Sequence, residues 1–467
     1  MSRLIRGMQY KDTFTENAMP THSTSGDACV DFFAGVGSAR NWSEDQIKAA
    51  FAKALATEPL VAMRTLFWAR DARQGAGERR VFRVCLDYLK ERHSAYLIKN
   101  LHLVSEFGRW DDIFHLDDVK EVYDLIGFAL DCEDGLLAKW LPRKGPFANK
   151  VRNFLGMTPK DYRKLIVGLS RTVEQQMCAK EWTRIKYEQV PSVAMNKYRK
   201  AFGRNDQPRF SNYIESVLKG DTTIKSGVLF PYQLYQAFKR GENRKAVEAQ
   251  WENLPDFMKD NKQRVLPMCD TSGSMTNQYG VGMSLVPMDI SVSLGIYISE
   301  RNEGPFKNAF MTFSNRPTLQ YLKGSLYDRC RQLQRAHWEM NTNLEAAFNM
   351  LLNTAIKVKA SEDEMPTILL ILSDMQFDNC VQGRHQHAMG MIRSKYKNAG
   401  YELPQVVFWN INARVGQVPV KFNESGTAVI SGCSPTILKS VLDGSILDPR
   451  EAMLKTVMSE RYQSVTV

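Results

Sequence analysis

Apolar side chains recur at helical spacing through the first half of this chain and at strand spacing through the second. Ser43 and Gln46 have the spacing of a capping box, and Ile47, Ala50, Phe51 and Ala54 then follow on one face. Pro59 is placed to open the next helix, whose stripe carries Val61, Leu66 and Phe67 and which ends near Gly75 and Gly77. Val81, Phe82, Cys85, Leu86 and Leu89 make a third stripe. Further on, Thr158-Pro159-Lys160-Asp161 reads as a helix start, continued by Tyr162, Leu165, Ile166 and Leu169. Successive helices joined by short loops predict an all-α, HEAT-like helical array from about Ser43 to Arg240, although no repeat period emerges.

From Arg264 the period changes. Short apolar runs at Val265–Cys269, Asn308–Ser314, Thr367–Ser373, Gln405–Ile411 and Ala428–Ser431 read as strands. Amphipathic stretches at Pro287–Glu300, Leu326–Ala336, Leu344–Val358, Met389–Asn398 and Thr436–Leu442 read as helices between or after them. Such alternation predicts an α/β, Rossmann-like domain with a mostly parallel sheet covered on both faces. Three regions are expected: an arm or linker over 1–35, a helical module over 36–255 and an α/β domain over 256–467.

The strongest chemical signal sits at the end of the first predicted strand. Asp270-Thr271-Ser272-Gly273-Ser274-Met275 places one carboxylate and two hydroxyls on alternate residues of a turn that Gly273 keeps open. Oxygen donors of this kind suit Mg²⁺ first, with Mn²⁺ or Ca²⁺ as alternatives, and do not suit zinc. Two later loops strengthen the signal. Asn341-Thr342-Asn343-Leu344-Glu345 offers a hydroxyl at the mouth of a helix, and the strand Thr367–Ser373 runs into Asp374. Ligand sites in open α/β sheets lie beyond the carboxyl ends of strands, where Asp270 and Asp374 both fall.

This arrangement resembles the metal-ion-dependent adhesion site (MIDAS) of von Willebrand factor A (vWA) domains. The resemblance implies that Ser272, Ser274 and Thr342 contact the metal and that Asp270 and Asp374 hold it directly or through water. It also implies a partner whose carboxylate completes the metal shell. The helical half carries its own resemblance. Leu66-Phe67-Trp68-Ala69-Arg70-Asp71-Ala72-Arg73-Gln74-Gly75-Ala76-Gly77-Glu78-Arg79-Arg80, Ala138-Lys139-Trp140-Leu141-Pro142-Arg143 and Ala179-Lys180-Glu181-Trp182 occur in that order. With Val190-Pro191-Ser192-Val193-Ala194-Met195 and Tyr198-Arg199-Lys200-Ala201-Phe202, they resemble an uncharacterised TROVE-related family in which a helical module precedes a vWA domain. TROVE proteins include the Ro autoantigen, whose helical ring binds misfolded and small non-coding RNAs, so the resemblance implies RNA binding and a ribonucleoprotein role.

Charge supports that implication independently. Residues 1–250 carry 40 Lys/Arg against 30 Asp/Glu, whereas the remainder carries 22 against 21. Within the first part, residues 139–245 hold 23 basic and 8 acidic side chains, an electrostatic footprint suited to a polyanion. Lys139, Arg143, Lys144, Lys150, Arg152, Lys160, Arg163 and Lys164 form one group of candidate phosphate contacts. Lys197, Arg199, Lys200, Arg204 and Arg209 form a denser one, interleaved with Tyr198, Phe202 and Phe210, which are candidates for stacking on bases. The expected target is structured RNA with a single-stranded end, recognised by shape rather than by sequence.

Other features exclude more than they assign. Eight cysteines are scattered without CxxC or Cys/His pairing, which fits reduced thiols in a cytoplasmic protein better than disulfides or zinc. His385 and His387 lie two residues apart on a polar stretch with no further ligand near in sequence. No apolar run reaches the length of a membrane span, so no membrane partner is expected. No Walker A loop, nucleophile elbow or HExxH helix occurs, and Ser272 stands where a haloacid-type phosphatase needs a second Asp. Asp270 and Asp374, with Asp378 as a third candidate, are few carboxylates for a two-metal nuclease. The expectation is a non-catalytic RNA-binding scaffold; the alternative is a metal-dependent protein-interaction adaptor without physiological RNA binding.

Overall fold

The computed structural model describes residues 12–15, 17, 19–276, 285–313, 316–334, 343–377, 388–413, 416–442 and 448–467. We number only helices of eight residues or more. The helical module begins with α1 (Ala28–Gly35), α2 (Glu44–Thr57), α3 (Pro59–Arg70) and α4 (Arg79–Arg92). It continues with α5 (Lys120–Asp131), α6 (Pro146–Phe154), α7 (Pro159–Ser170), α8 (Ser192–Asn205), α9 (Gln207–Lys219), α10 (Pro231–Lys239) and α11 (Arg244–Glu252). Local chemistry sets the boundaries as expected. The Ser43–Gln46 capping box opens α2, Pro59 starts α3, and the Thr158 hydroxyl accepts from the Asp161 N–H at the start of α7.

The second half contains a six-stranded sheet built from β3 (Val265–Asp270), β4 (Ala309–Phe313), β5 (Thr318–Tyr321), β6 (Ile368–Ser373), β7 (Gln405–Asn410) and β8 (Thr427–Ser431). Strand order is β5-β4-β3-β6-β7-β8, with only β5 antiparallel. The helices of this domain are α12 (Pro287–Arg301), α13 (Leu326–Gln334), α14 (Leu344–Val358), α15 (Ala388–Asn398) and α16 (Pro449–Val457). The fold is thus an all-α module followed by a Rossmann-like domain with a mostly parallel sheet. β5 escaped sequence reading because it is a short, mostly exposed edge strand with no apolar run. The helix expected at Thr436–Leu442 is a 3₁₀ turn, Pro435–Ser440.

Strand alternation divides the sheet between two cores. Val265 and Cys269 of β3 face a core continuous with the helical module, whereas Leu266 and Met268 face α14 and α15. On the first face, α12 lies so close to β3 that a Cβ at Gly295 would stand 2.4 Å from the Cys269 sulfur. Edge strand β8 lies against α1 and α16.

The amino-terminal stretch requires a correction. Instead of serving throughout as an arm or linker, residues 1–35 include the hairpin of β1 (Asp12–Phe14) and β2 (Pro20–His22), followed by the buried helix α1. Cys29, Val30, Phe32 and Phe33 enter the main core, and Asp27 caps the helix by accepting from the Cys29 and Val30 N–H groups. The polar run Thr21–Asp27 looks like linker in sequence because its side chains bond locally and to the sheet domain. The Thr21 hydroxyl, for example, donates to the Val418 carbonyl.

The Leu66–Arg80 signature is a hub of buried charge. Arg70 and Arg79 both reach Asp112, at 2.7 and 2.8 Å, while Asp71 accepts from Arg461 and Tyr462 near the carboxyl end. This part of the resemblance therefore encodes packing of the module against its neighbour.

Candidate functional site

β3 and β6 lie side by side, with Cys269 opposite Leu372, so their carboxyl ends bring Asp270 and Ser373 together. The Ser373 hydroxyl donates to Asp270 Oδ2 at 2.5 Å and accepts from the Met375 N–H at 3.0 Å. Asp270 Oδ1 accepts from the Ser272 N–H at 2.9 Å, and the Ser272 and Ser274 hydroxyls stand 3.0 Å apart. Asp374 accepts from the Gln376 N–H at 3.1 Å, on a loop where Met375 adopts φ 64°. Asp270, Ser272 and Asp374 are buried, and Ser274 is half-buried. Thr342, the remaining predicted ligand, lies outside the described residues, as do Asp378, His385 and His387.

Electrostatics fit a cation. Burial, and then the neighbouring charge of Asp374, push the Asp270 carboxyl up to about 7, against hydrogen bonds from Ser373 and Ser272 that favour its ionised form. The Thr271 hydroxyl in the same loop is buried without a hydrogen-bond partner among the described residues. A divalent ion would let both carboxylates ionise, and its donors would all be oxygen. Among the described residues no three His, Cys, Asp or Glu side chains converge to hold a metal, so a site here depends on its hydroxyls. Ser373 was missed in the sequence reading. Its signal is its place immediately before Asp374, on the strand paired with the one that ends at Asp270.

The basic candidates fall into three physical states. Arg143, Lys144, Lys160, Arg163, Lys164, Lys197 and Arg204 are exposed on or beside α6–α8, and Lys200 is exposed with its ammonium 3.9 Å from Glu242. Lys139 and Arg152 are half-buried, the first with its ammonium 5.7 Å from the Trp140 ring centroid. Lys150 and Arg209 are exposed but engaged. Lys150 pairs with Asp117 at 2.6 Å, and Arg209 pairs with Asp206 at 2.7 Å while donating to the Trp182 and Ile185 carbonyls.

Arg199 is the exception that overturns its assignment as a phosphate contact. It is 1% exposed and pairs with Glu242 at 3.0 Å, because its position on α8 turns it inward toward the α10–α11 turn. Phe202 and Phe210 are likewise core residues, packed around Tyr187, and only Tyr198 of that group stays half-buried. The exposed aromatics of the basic module are instead Phe128 (69%) and Phe154 (47%), on α5 and α6.

The described residues thus form a helical array followed by a mostly parallel sheet, with a hydroxyl-rich acidic loop at its carboxyl edge. Residues 15–116 and 147–263 match the model of a domain of unknown function, DUF2828, and residues 264–466 match a second, DUF7788. The chain is 26% identical to an uncharacterised protein, L728, of Acanthamoeba polyphaga mimivirus, over 95% of this chain and 86% of the relative. Among solved structures, it is similar to the Ro (RSR) protein of Deinococcus radiodurans at 13% identity and a TM-score of 0.38, over 92% of this chain and 93% of that one. No helix among the described residues is long and apolar enough to cross a membrane.

Proposed function

We propose that this protein is a non-catalytic RNA-binding scaffold, with RNA held on the basic helical module and a partner carboxylate captured at the Asp270 loop through Mg²⁺ or a similar ion. The carrying observation is the band of exposed cations on α6–α8, within a segment holding 23 basic and 8 acidic residues. Lysine and arginine there neutralise phosphates without reading sequence, and Phe128 and Phe154 offer ring faces on which unpaired bases stack. The metal loop contributes a different kind of recognition. Asp270, Ser272, Ser274, Thr342 and Asp374 supply the oxygen ligands, and the bound ion supplies the positive charge that an acidic partner completes. In this reading the protein works in the cytoplasm as part of a ribonucleoprotein.

Fluorescence anisotropy with a structured RNA bearing a single-stranded end tests the reading, across a salt series, with matched DNA as competitor and EDTA in parallel. The expected result is RNA-preferring binding that weakens steeply with salt and survives EDTA. Absence of binding at low salt would overturn RNA recognition. It would favour the second reading, a metal-dependent protein adaptor, which rests on the buried, hydrogen-bonded order of the Asp270 loop alone.

A further inference from the structure

We propose that a cavity between α1, α2 and the chain beyond β7 is a binding site for a small organic cation, an amine carried on an apolar, ring-bearing body. The cavity has a volume of about 740 Å³, within the range of roughly 300–1,000 Å³ that ligand pockets span. It lies past the carboxyl end of β7, next to Asn410, and so is separate from the metal loop at the ends of β3 and β6. Crevices of this kind beyond parallel strands are where open α/β sheets hold ligands.

Its walls explain the class of ligand. Phe32 and Trp42 contribute rings from the helical side, and Val418, Pro419 and Val429 contribute apolar surface from the sheet side. Most polar groups on the lining are already engaged. Asp27 caps α1 and pairs with Arg450, and Asn410 donates to the Ala34 carbonyl while accepting from the Ala413 N–H. Asp31 differs. Its carboxylate accepts from the Ser25 N–H at 2.7 Å and from the Thr24 hydroxyl, both neutral donors, and no cation pairs with it among the described residues.

Asp31 is half-buried, and a carboxylate partly withdrawn from water without a counter-charge is costly. Burial accordingly raises the Asp31 pKa against the pull of Ser25 and Thr24. An ammonium or amidinium seated at Asp31 would supply the missing charge, and its apolar body would pack on Phe32 and Trp42 with cation–π attraction in reach. The Trp42 indole N–H is buried without an acceptor among the described residues. On the same wall Asp27 already pairs with Arg450 and Lys53 is exposed on α2, so Asp31 is the wall carboxylate left for a ligand cation.

Calorimetric titration of the full chain with tryptamine and with tryptophol, its neutral alcohol counterpart, tests the proposal. Saturable tryptamine binding is expected, with tryptophol about tenfold weaker or worse, because a charge-assisted contact is at stake. Asp31→Asn should erase that preference. Ala49→Trp, on the exposed wall of α2, should block tryptamine by filling the space while leaving Asp31 and the thermal midpoint in place. Failure of the wild-type chain to bind tryptamine would overturn the site, as would equal affinity for the two probes. Undiminished tryptamine binding by Ala49→Trp would place the amine elsewhere and overturn it too. Should Asp31→Asn not fold, the probe pair on wild type and on Ala49→Trp decides the matter.

Discussion

The carboxyl edge of the sheet and the basic face of the helical module are both built for charge, in opposite ways. At the sheet edge, Asp270, Ser272 and Ser373 are buried and hydrogen-bonded through Asp270, with Asp374 buried beside them and accepting from the Gln376 N–H. Along the basic face, the cations are spread over a hundred residues, and most point into water. The denser group rides on its own small core around Tyr187, Phe202, Phe210 and Tyr213, distinct from the core shared with the sheet. Under the proposed function, geometry carries recognition at the first region, so a single atom matters there. A summed field carries it at the second, where loss of one cation is graded.

The sharpest way to break this contrast is Asp270→Ala. Divalent binding, measured by Mn²⁺ electron paramagnetic resonance or by Mg²⁺ calorimetry, should be lost outright, while RNA anisotropy stays at its wild-type value. A matching fall in RNA affinity would mean that the two regions form one site. Next in size is Arg199→Ala, which tests whether every arginine in the dense group serves the field. Arg199 is buried against Glu242, and burial lowers its pKa to about 10 despite that partner. Removing one member of a buried pair strands the other, at a cost of roughly 3 kcal/mol or more. Thermal unfolding should therefore shift downward, while RNA affinity per folded molecule is preserved. An unchanged midpoint with weakened RNA binding would return Arg199 to the interface.

These two arginine environments show what a sequence can and cannot spell. The Asp270–Ser274 loop was legible because its oxygen-bearing side chains fall on alternate residues at the end of an apolar strand, and the structure brings the Ser272 and Ser274 hydroxyls within 3.0 Å of each other. Even so, Ser373 was hidden: its role comes from the β3–β6 register, which no local pattern states. In the sheet domain, strand and helix boundaries came through closely, and Leu344–Val358 is observed as expected. Basic composition correctly marked a charged surface, yet it treated Arg199 and Arg204 alike. They lie on the same helix, one turned toward Glu242 and one toward solvent, and a helix mixing charge with Tyr198 and Phe202 does not declare which face is inward. Helix α1 was missed for a related reason. Ala28–Gly35 is apolar nearly all round, because it is covered by α2, α3 and β8, so it lacks the amphipathic period that marked its neighbours.

Smaller effects sharpen the field side of the comparison. Neutralising Lys197, Lys200 and Arg204 together should lower the slope of log affinity against log salt by about 2, at roughly 0.7 per phosphate contact on a single strand. Anisotropy at several salt concentrations reads this directly, and an unchanged slope would remove α8 from the interface.

The smallest predicted difference lies between two single substitutions. Lys150 is already paired with Asp117, its ammonium 2.6 Å from the carboxylate, whereas Arg204 has no ion pair among the described residues. To meet a phosphate, Lys150 must exchange one anion for another, so the net release of counterions is smaller than at Arg204. Lys150→Met should thus weaken RNA less than Arg204→Met does, and Asp117→Asn should strengthen it by freeing the lysine. Comparing the three variants at a single low salt concentration tests this ranking. Equal losses for Lys150→Met and Arg204→Met would mean that the number of charges on the face, rather than their pairing, sets the affinity.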